Sequence, residues 1–181
     1  MKRIKLIFAL SVLALGLFSC GKNSNDYLDL VGNWSVTRID YYNTDFENKP
    51  IESTLESWEF TPGDQTDGID MTFRSNKTGE IHDRSRVQDS TIVTTFTYSY
   101  HSDDMLLHMK TKEGGKTKRH EIQILELNTN DFNYENEYGD HYIEKAWLVR
   151  LKDNGTVAKG NTGRKAKVVR PIHEGSLLSN D

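Results

Sequence analysis

The chain has 181 residues, of which 35% are hydrophobic and 28% are charged, and this length predicts one domain of ordinary size. Its single cysteine excludes an internal disulfide framework and a thiolate zinc cluster. The formal net charge is −4, and it becomes about −7 without residues 1–19, which contain three of the 23 basic residues. Binding of nucleic acid requires a basic face, so nucleic acid is not an expected partner.

Residues 1–20 are organised like a bacterial export signal. Three basic residues lie among the first five, and an apolar run extends from Leu6 to Phe18. This run is shorter than the roughly 20 residues that a transmembrane helix needs. The order Ser19-Cys20-Gly21 resembles the processing site of bacterial lipoproteins, where the chain is cut before a cysteine that carries lipid. The resemblance implies a signal peptide over 1–19 and a lipidated Cys20.

Residues 20–31 are mostly polar and are predicted to form a tether between the lipid and the folded domain. Several acyl chains on one cysteine hold a protein firmly at a bilayer, whereas one chain holds it weakly. Gly21, and not aspartate, follows the cysteine, and by the same resemblance this favours the outer membrane. The sequence leaves open which side of that membrane the domain faces.

From residue 32 onward, apolar residues recur with a period of two, and no stretch sustains the period of a long amphipathic helix. Clusters of Gly, Asn, Asp and Pro separate the alternating runs. Strands are predicted at about 33–42, 55–61, 69–74, 79–87, 90–100, 105–109, 117–127, 132–138 and 142–152. Consecutive strands of this number predict an antiparallel up-and-down β-barrel of about eight strands over 32–152, because closure removes exposed edges. An open β-sandwich is the alternative.

The alternation also predicts which side chains face the barrel interior. On 90–100, Phe96 and Tyr98 share one face and threonines take the other, whereas on 142–152 the shared apolar face includes Trp147 and Val149. Inward-facing residues would contact a bound ligand, although core packing explains the same pattern without one. The predicted inward set is Trp34, Val36, Trp58, Phe60, Phe96, Tyr98, Met105, Leu107, Met109 and Ile122.

Three segments resemble bacterial lipocalin-like lipoproteins: Leu30–Val36 with its Gly-x-Trp, Trp58–Gly63, and the closing Trp147–Leu151. The resemblance covers about residues 30–152 and implies a small lipocalin-like barrel whose interior holds an apolar molecule. It also implies that Arg150 packs over the ring of Trp34. Strict alternation argues against that contact, since it places Arg150 on the face opposite the predicted apolar one.

Residues 153–181 differ in composition from the rest. Five basic residues lie between Lys159 and Arg170 with no acidic residue among them. A flexible basic tail is the prediction. Folding back on the acidic barrel and contact with anionic lipid headgroups are the alternatives.

The sequence contains no catalytic or metal-binding motif. The six histidines show neither His-x-His nor His-Glu-x-x-His spacing, so they are predicted to be surface residues, and no metal and no cofactor are expected. Neither a Gly-x-Ser-x-Gly turn nor a phosphate-binding loop is present, so the prediction is a protein that is not an enzyme. A hydrolase that uses a carboxylate pair is a weaker third alternative.

Together these observations predict a lipid-anchored envelope lipoprotein, monomeric, whose barrel binds a small apolar ligand or lipid. The alternative function is a protein-interaction module, such as an accessory subunit or an inhibitor, that acts through its acidic outer face.

Overall fold

The computed structural model describes residues 29–86, 90–113, 115–139, 141–152 and 176–178. Regular structure in these residues consists of nine strands and one short 3-10 helix at Glu52–Thr54. In chain order the strands are β1 (Gly32–Asn43), β2 (Glu56–Glu59), β3 (Ile69–Phe73), β4 (Thr78–Asp83), β5 (Ile92–His101), β6 (Leu106–Glu113), β7 (Lys116–Leu127), β8 (Asp131–Tyr138) and β9 (Tyr142–Arg150). The predicted signal peptide, Cys20 and the predicted tether up to residue 28 lie outside the described residues, as does most of the basic C-terminal segment.

Eight of these strands form a closed antiparallel barrel. Strands β3 to β9 pair in chain order, β1 pairs with β3, and β9 returns to pair with β1 from Trp34↔Arg150 to Asn43↔Tyr142. The ninth strand, β2, pairs with β1 at Arg38–Tyr41, beyond the part of β1 that contacts β3. The predicted barrel is therefore confirmed, and the open sandwich is wrong because the β1–β9 ladder closes the sheet.

Alternate side chains fill the interior of the barrel. On β5, Phe96 and Tyr98 are buried, whereas Thr95 and Thr97 are exposed. The ring of Phe73 on β3 makes edge contacts with both buried aromatics, at 5.1 Å between centroids in each case. These contacts belong to one continuous apolar cluster. The inward faces predicted for β5, β6 and β7 are confirmed.

Strand β9 presents the opposite face from the one that its apolar pattern indicates. Its inward side chains are Glu144, Ala146 and Leu148, all of which are buried. Trp147 lies on the outer wall, where the guanidinium of Arg38 covers its ring at 5.0 Å. The prediction is wrong here because a cation shields a large apolar side chain outside the barrel, while a carboxylate and a small residue face inward.

One end of the barrel, where β1 begins and β9 ends, is sealed around Trp34; we call it the closed end. The Trp34 ring is fully buried, and its Nε1–H donates to the carbonyl of Leu30 at 2.9 Å. The guanidinium of Arg150 lies 4.2 Å from the ring centroid, within cation–π distance. This predicted contact is confirmed, and the alternation argument against it is wrong because the inward face of β9 ends at Arg150.

The Arg150 guanidinium also joins two other chain segments to β9 at the closed end. Its Nη1 donates to the carbonyl of Val31 at 2.7 Å, its Nε donates to that of Thr129 at 2.6 Å, and its Nη2 donates to that of Asp29. Burial lowers the pKa of Arg150. Gly32 has φ +147°, and a Cβ there would overlap the guanidinium, so glycine is required.

The described residues contain no helix that is long and apolar enough to span a bilayer.

Candidate functional site in the barrel interior

The other end of the barrel, where β1 ends and β9 begins, has a different interior; we call it the mouth end. Six inward-facing polar residues lie in this half, one from each of β4 to β9, and each is at most 6% exposed. We call them the polar belt: Asp83, Thr94, Thr111, His120, Asn136 and Glu144. A buried polar group is costly unless it is hydrogen-bonded, so the partners of the belt indicate what this half of the barrel accommodates.

Glu144 is the most completely buried acidic residue of the belt, with no exposed surface. The hydroxyl of Tyr134 on the neighbouring strand donates to its Oε1 at 2.8 Å. The negative charge of Glu144 also contributes, after burial, to raising the pKa of Tyr138. A carboxylate that is buried in this way needs several donors to offset its lost hydration.

Residues 176–178 supply two further donors to Glu144. Ser176 Oγ donates to Glu144 Oε2, and the backbone N–H of Leu178 donates to the same oxygen at 3.2 Å. Leu177 and Leu178 are at most 2% exposed and belong to the apolar cluster of the barrel. These three residues come from the tail that the sequence predicts to be flexible, and they lie inside the mouth end. We call residues 176–178 the plug.

Asn136 lies beside Glu144 on the inner wall, since the two are paired in the β8–β9 ladder. Its side chain is 1% exposed, yet its Nδ2 has no hydrogen-bond partner among the described residues. A buried amide donor without a partner costs about 1–3 kcal/mol, which makes it a notable feature of a native interior. The mouth end therefore offers a hydrogen-bond donor next to a hydrogen-bond acceptor.

His120 is buried in the belt, so the prediction of a surface histidine is wrong at this position. Its Nε2 lies 3.1 Å from Thr111 Oγ1. Burial, with a smaller contribution from the positive charge of Lys118, lowers the pKa of His120 to about 4. The imidazole is therefore neutral at pH 7, as expected for a side chain of β7 that faces the barrel interior.

Asp83 completes the polar belt with an internal ion pair. Arg86 Nε donates to Asp83 Oδ2 at 2.9 Å, and Ser85 donates to Oδ1 through both its N–H and its hydroxyl. All three side chains are largely buried. Separating this pair would leave a buried charge without a partner, which is costly. The pair therefore holds the chain after β4 in place.

The structure brings most of the predicted ligand-binding residues together as core. Trp58, Phe60 and Met105 are half-buried and pack against the edge of the apolar cluster. The buried members are Trp34, Val36, Phe96, Tyr98, Leu107, Met109 and Ile122. They form the walls and the closed end, below the polar belt.

Sequence reasoning missed the belt and the plug. A signal for the belt was present, because Glu144 is in phase with Ala146 and Leu148, and Asn136 lies midway between Tyr134 and Tyr138. A search for apolar residues at every second position does not detect polar residues that share the inward face. No local pattern marks Ser176–Leu178 as a barrel-filling segment.

The structure does not gather the histidines that it describes into a metal site. His101 and His108 lie together on the outer wall, with ring centroids 5.4 Å apart, whereas His120 faces the interior. Within the described part of the chain, no group of three or more His, Cys, Asp or Glu side chains is placed to hold a metal ion.

No protein-family model matches the chain, and neither a curated protein nor a solved structure matches it significantly. Membership of the lipocalin-like lipoproteins therefore stays a prediction from the residues. The fold is compatible with a ligand-binding barrel, and the arrangement of the interior carries the functional argument.

Proposed function

We propose that this protein is a lipid-anchored protein of the bacterial outer membrane whose barrel binds one small apolar ligand or lipid. The observation that carries the proposal is the occupied mouth end. The side chains of Leu177 and Leu178 lie inside the barrel, and the Ser176 hydroxyl and the Leu178 backbone N–H donate to the buried carboxylate of Glu144. An interior that accepts this segment has the shape and chemistry to accept an apolar molecule with a polar head group.

The size of the barrel supports the same function. Eight strands enclose enough space for packed side chains or for one small ligand. The apolar cluster fills the closed end, whereas the mouth end combines apolar walls with a few polar groups, as ligand sites do. A ligand would therefore lie between the polar belt and the apolar walls below it.

Binding of 1-octanol, followed by calorimetry on the full chain, tests this function. We expect saturable binding of one molecule per chain. Ala146→Leu adds volume to the inner wall directly below Glu144 and should weaken binding, whereas Thr97→Leu adds volume on the outer wall and should not. If octanol binds neither to the full chain nor to a folded variant in which the plug is weakened, such as Ser176→Ala, the barrel is not a ligand-binding one.

The anchor rests on the resemblance of residues 1–20 to a lipoprotein signal. When the chain is expressed in a bacterium that is fed labelled palmitate, we expect the label on the protein and the protein in the outer membrane. Cys20→Ser should remove both, since the chain has no other cysteine. A labelled Cys20→Ser protein, or an unlabelled parent, would contradict the anchor.

A second candidate, the protein-interaction module, is favoured by apolar side chains exposed beside the mouth end. Phe46 is 96% exposed in the loop after β1, its ring contacts that of His141, and Leu55 and Tyr142 are about half exposed. A stoichiometric partner that copurifies with the parent but not with Phe46→Ser would support this function. Retention of that partner by Phe46→Ser would contradict a role for this surface.

A further inference from the structure

The plug is joined to the barrel by contacts that a separate molecule could replace. Ser176 and Leu178 lie 32 and 34 residues after Glu144 in the chain, so their hydrogen bonds to it are not part of any strand ladder. The two leucines add apolar contacts with the barrel wall. Segments held in this way open at lower free energy than the strands around them.

The two polar groups beneath the plug define the chemistry of a replacement ligand. The carboxylate of Glu144 accepts hydrogen bonds, so it requires a donor on the ligand and disfavours a second carboxylate. Asn136 Nδ2 is a buried donor with no partner among the described residues, so it requires an acceptor. A hydroxyl or an amide group carries a donor and an acceptor together.

We propose that Glu144 and Asn136 bind the hydroxyl or amide head group of a single-chain amphiphile, and that the plug holds this place in the ligand-free protein until the ligand displaces it. The aliphatic chain of the ligand takes the volume of Leu177 and Leu178. This inference rests on the proposed ligand-binding function and adds the head-group class and the intramolecular competitor.

Intramolecular competition has a measurable consequence. A tethered segment acts at an effective concentration on the order of millimolar. The apparent affinity of a free ligand is its intrinsic affinity multiplied by the fraction of sites that the segment leaves open. Weakening the plug therefore tightens ligand binding, although the variant removes contacts from the protein. A plug that were only part of the core would give the opposite result.

The first test compares 1-octanol binding to the full chain with binding to two plug variants. The double variant Leu177→Ser/Leu178→Ser should bind octanol about tenfold more tightly. Ser176→Ala removes only one hydroxyl and should tighten octanol binding about threefold. This variant provides the test if the double variant does not fold. Unchanged or weaker binding by the folded variants would overturn the displacement mechanism.

The second test compares head groups of equal chain length on the Leu177→Ser/Leu178→Ser protein, or on Ser176→Ala. Octanol and octanamide should bind at least tenfold more tightly than octanoate, which has no donor at neutral pH. Asn136→Ala should weaken octanol binding about fivefold, whereas Asn133→Ala, on the outer wall of the same strand, should not. Equal binding of all three compounds would overturn the head-group assignment.

These outcomes separate the inference from the function beneath it. If octanol binds equally to the parent and the plug variants, the barrel binds ligand and the competitor role of the plug is wrong. If octanol binds to none of the folded proteins, the ligand-binding function itself is wrong.

Discussion

The closed end and the mouth end of the barrel are made by the same strands, yet their buried polar groups are satisfied in different ways. At the closed end, Arg150 covers Trp34 and bonds to backbone carbonyls, so every polar partner comes from the chain segments that form the end itself. At the mouth end, Glu144 takes donors from the distant plug, and Asn136 Nδ2 has no partner among the described residues.

This difference separates a structural end from an end suited to binding. An interior whose polar groups are all satisfied locally gains nothing from a ligand. An interior in which Glu144 bonds to the plug and Asn136 Nδ2 has no partner among the described residues can form hydrogen bonds with a ligand. The predictions below test whether the two ends differ in stability in the way that their contacts indicate.

The largest expected effect is at the closed end. Trp34→Ala should lower the free energy of unfolding by about 3–5 kcal/mol, because it opens a cavity in the apolar cluster and removes the partner of Arg150. Trp147→Ala is the matched control on the outer wall and should cost less than half as much. Urea unfolding measures both values, and equal losses would contradict a packed closed end.

Acid should destabilise the mouth end through His120. The pKa is about 4 in the folded protein, against an ordinary value of 6.5 that applies to the unfolded chain. Between these values the unfolded chain binds a proton that the folded protein does not, so the free energy of unfolding falls as pH falls, by about 3 kcal/mol in total. The stabilisation is complete above pH 6.5.

The His120 contribution is isolated by comparison with variants, because carboxylates also titrate in acid. The unfolding free energy of His120→Gln should lose less on acidification from pH 7 to pH 4 than that of the parent. His101→Gln, on the exposed outer wall, should follow the parent. If His120→Gln and the parent show the same dependence, the buried neutral imidazole is not responsible.

Two arginines provide a closer comparison of inside and outside. Arg150→Met removes a cation–π contact and three hydrogen bonds to carbonyls, and it should lower the free energy of unfolding by about 2 kcal/mol. Arg38→Met removes a cation–π contact on the outer wall and two hydrogen bonds to Asp40, but the Arg38 side chain is 45% exposed, so the variant should cost about 1 kcal/mol. A larger loss for Arg38→Met would contradict the role given to the closed end.

The smallest effect is expected in the plug. Leu178→Ala should lower the free energy of unfolding by about 1 kcal/mol or less, because we propose that the plug leaves the barrel without unfolding it. Leu148→Ala, an equally buried leucine on β9, should cost about 2–5 kcal/mol. Thermal unfolding of the two variants makes this comparison, and similar losses would show that the plug unfolds only together with the barrel.

The strands were predictable because a strand with one buried face alternates apolar and polar residues, and this alternation shows which side chains face inward. On β5, buried aromatics alternate with exposed threonines, as the sequence pattern predicts. The contact between Arg150 and Trp34 also followed from the sequence, but only through resemblance. Alternation alone argued against it, because on β9 the more apolar face is the outer one.

The mouth end was not predictable for a different reason. Polar residues on an inward face, such as Glu144 and His120, look like surface residues until their partners are known. The plug partners of Glu144 lie 32 and 34 residues away in the sequence, and no local period links Ser176 to Glu144. Composition also misled, since the tail is basic on average while the residues that enter the barrel are Ser176, Leu177 and Leu178.

Hydrogen exchange at the Leu178 amide tests most directly whether the mouth end is a ligand site covered by the plug. In the free full chain this N–H bonds to Glu144 Oε2 and should be protected from solvent exchange. Saturation with 1-octanol should make it exchange rapidly, while the Trp34 indole N–H at the closed end stays protected. A Leu178 amide that remains equally protected when octanol is bound would contradict the account.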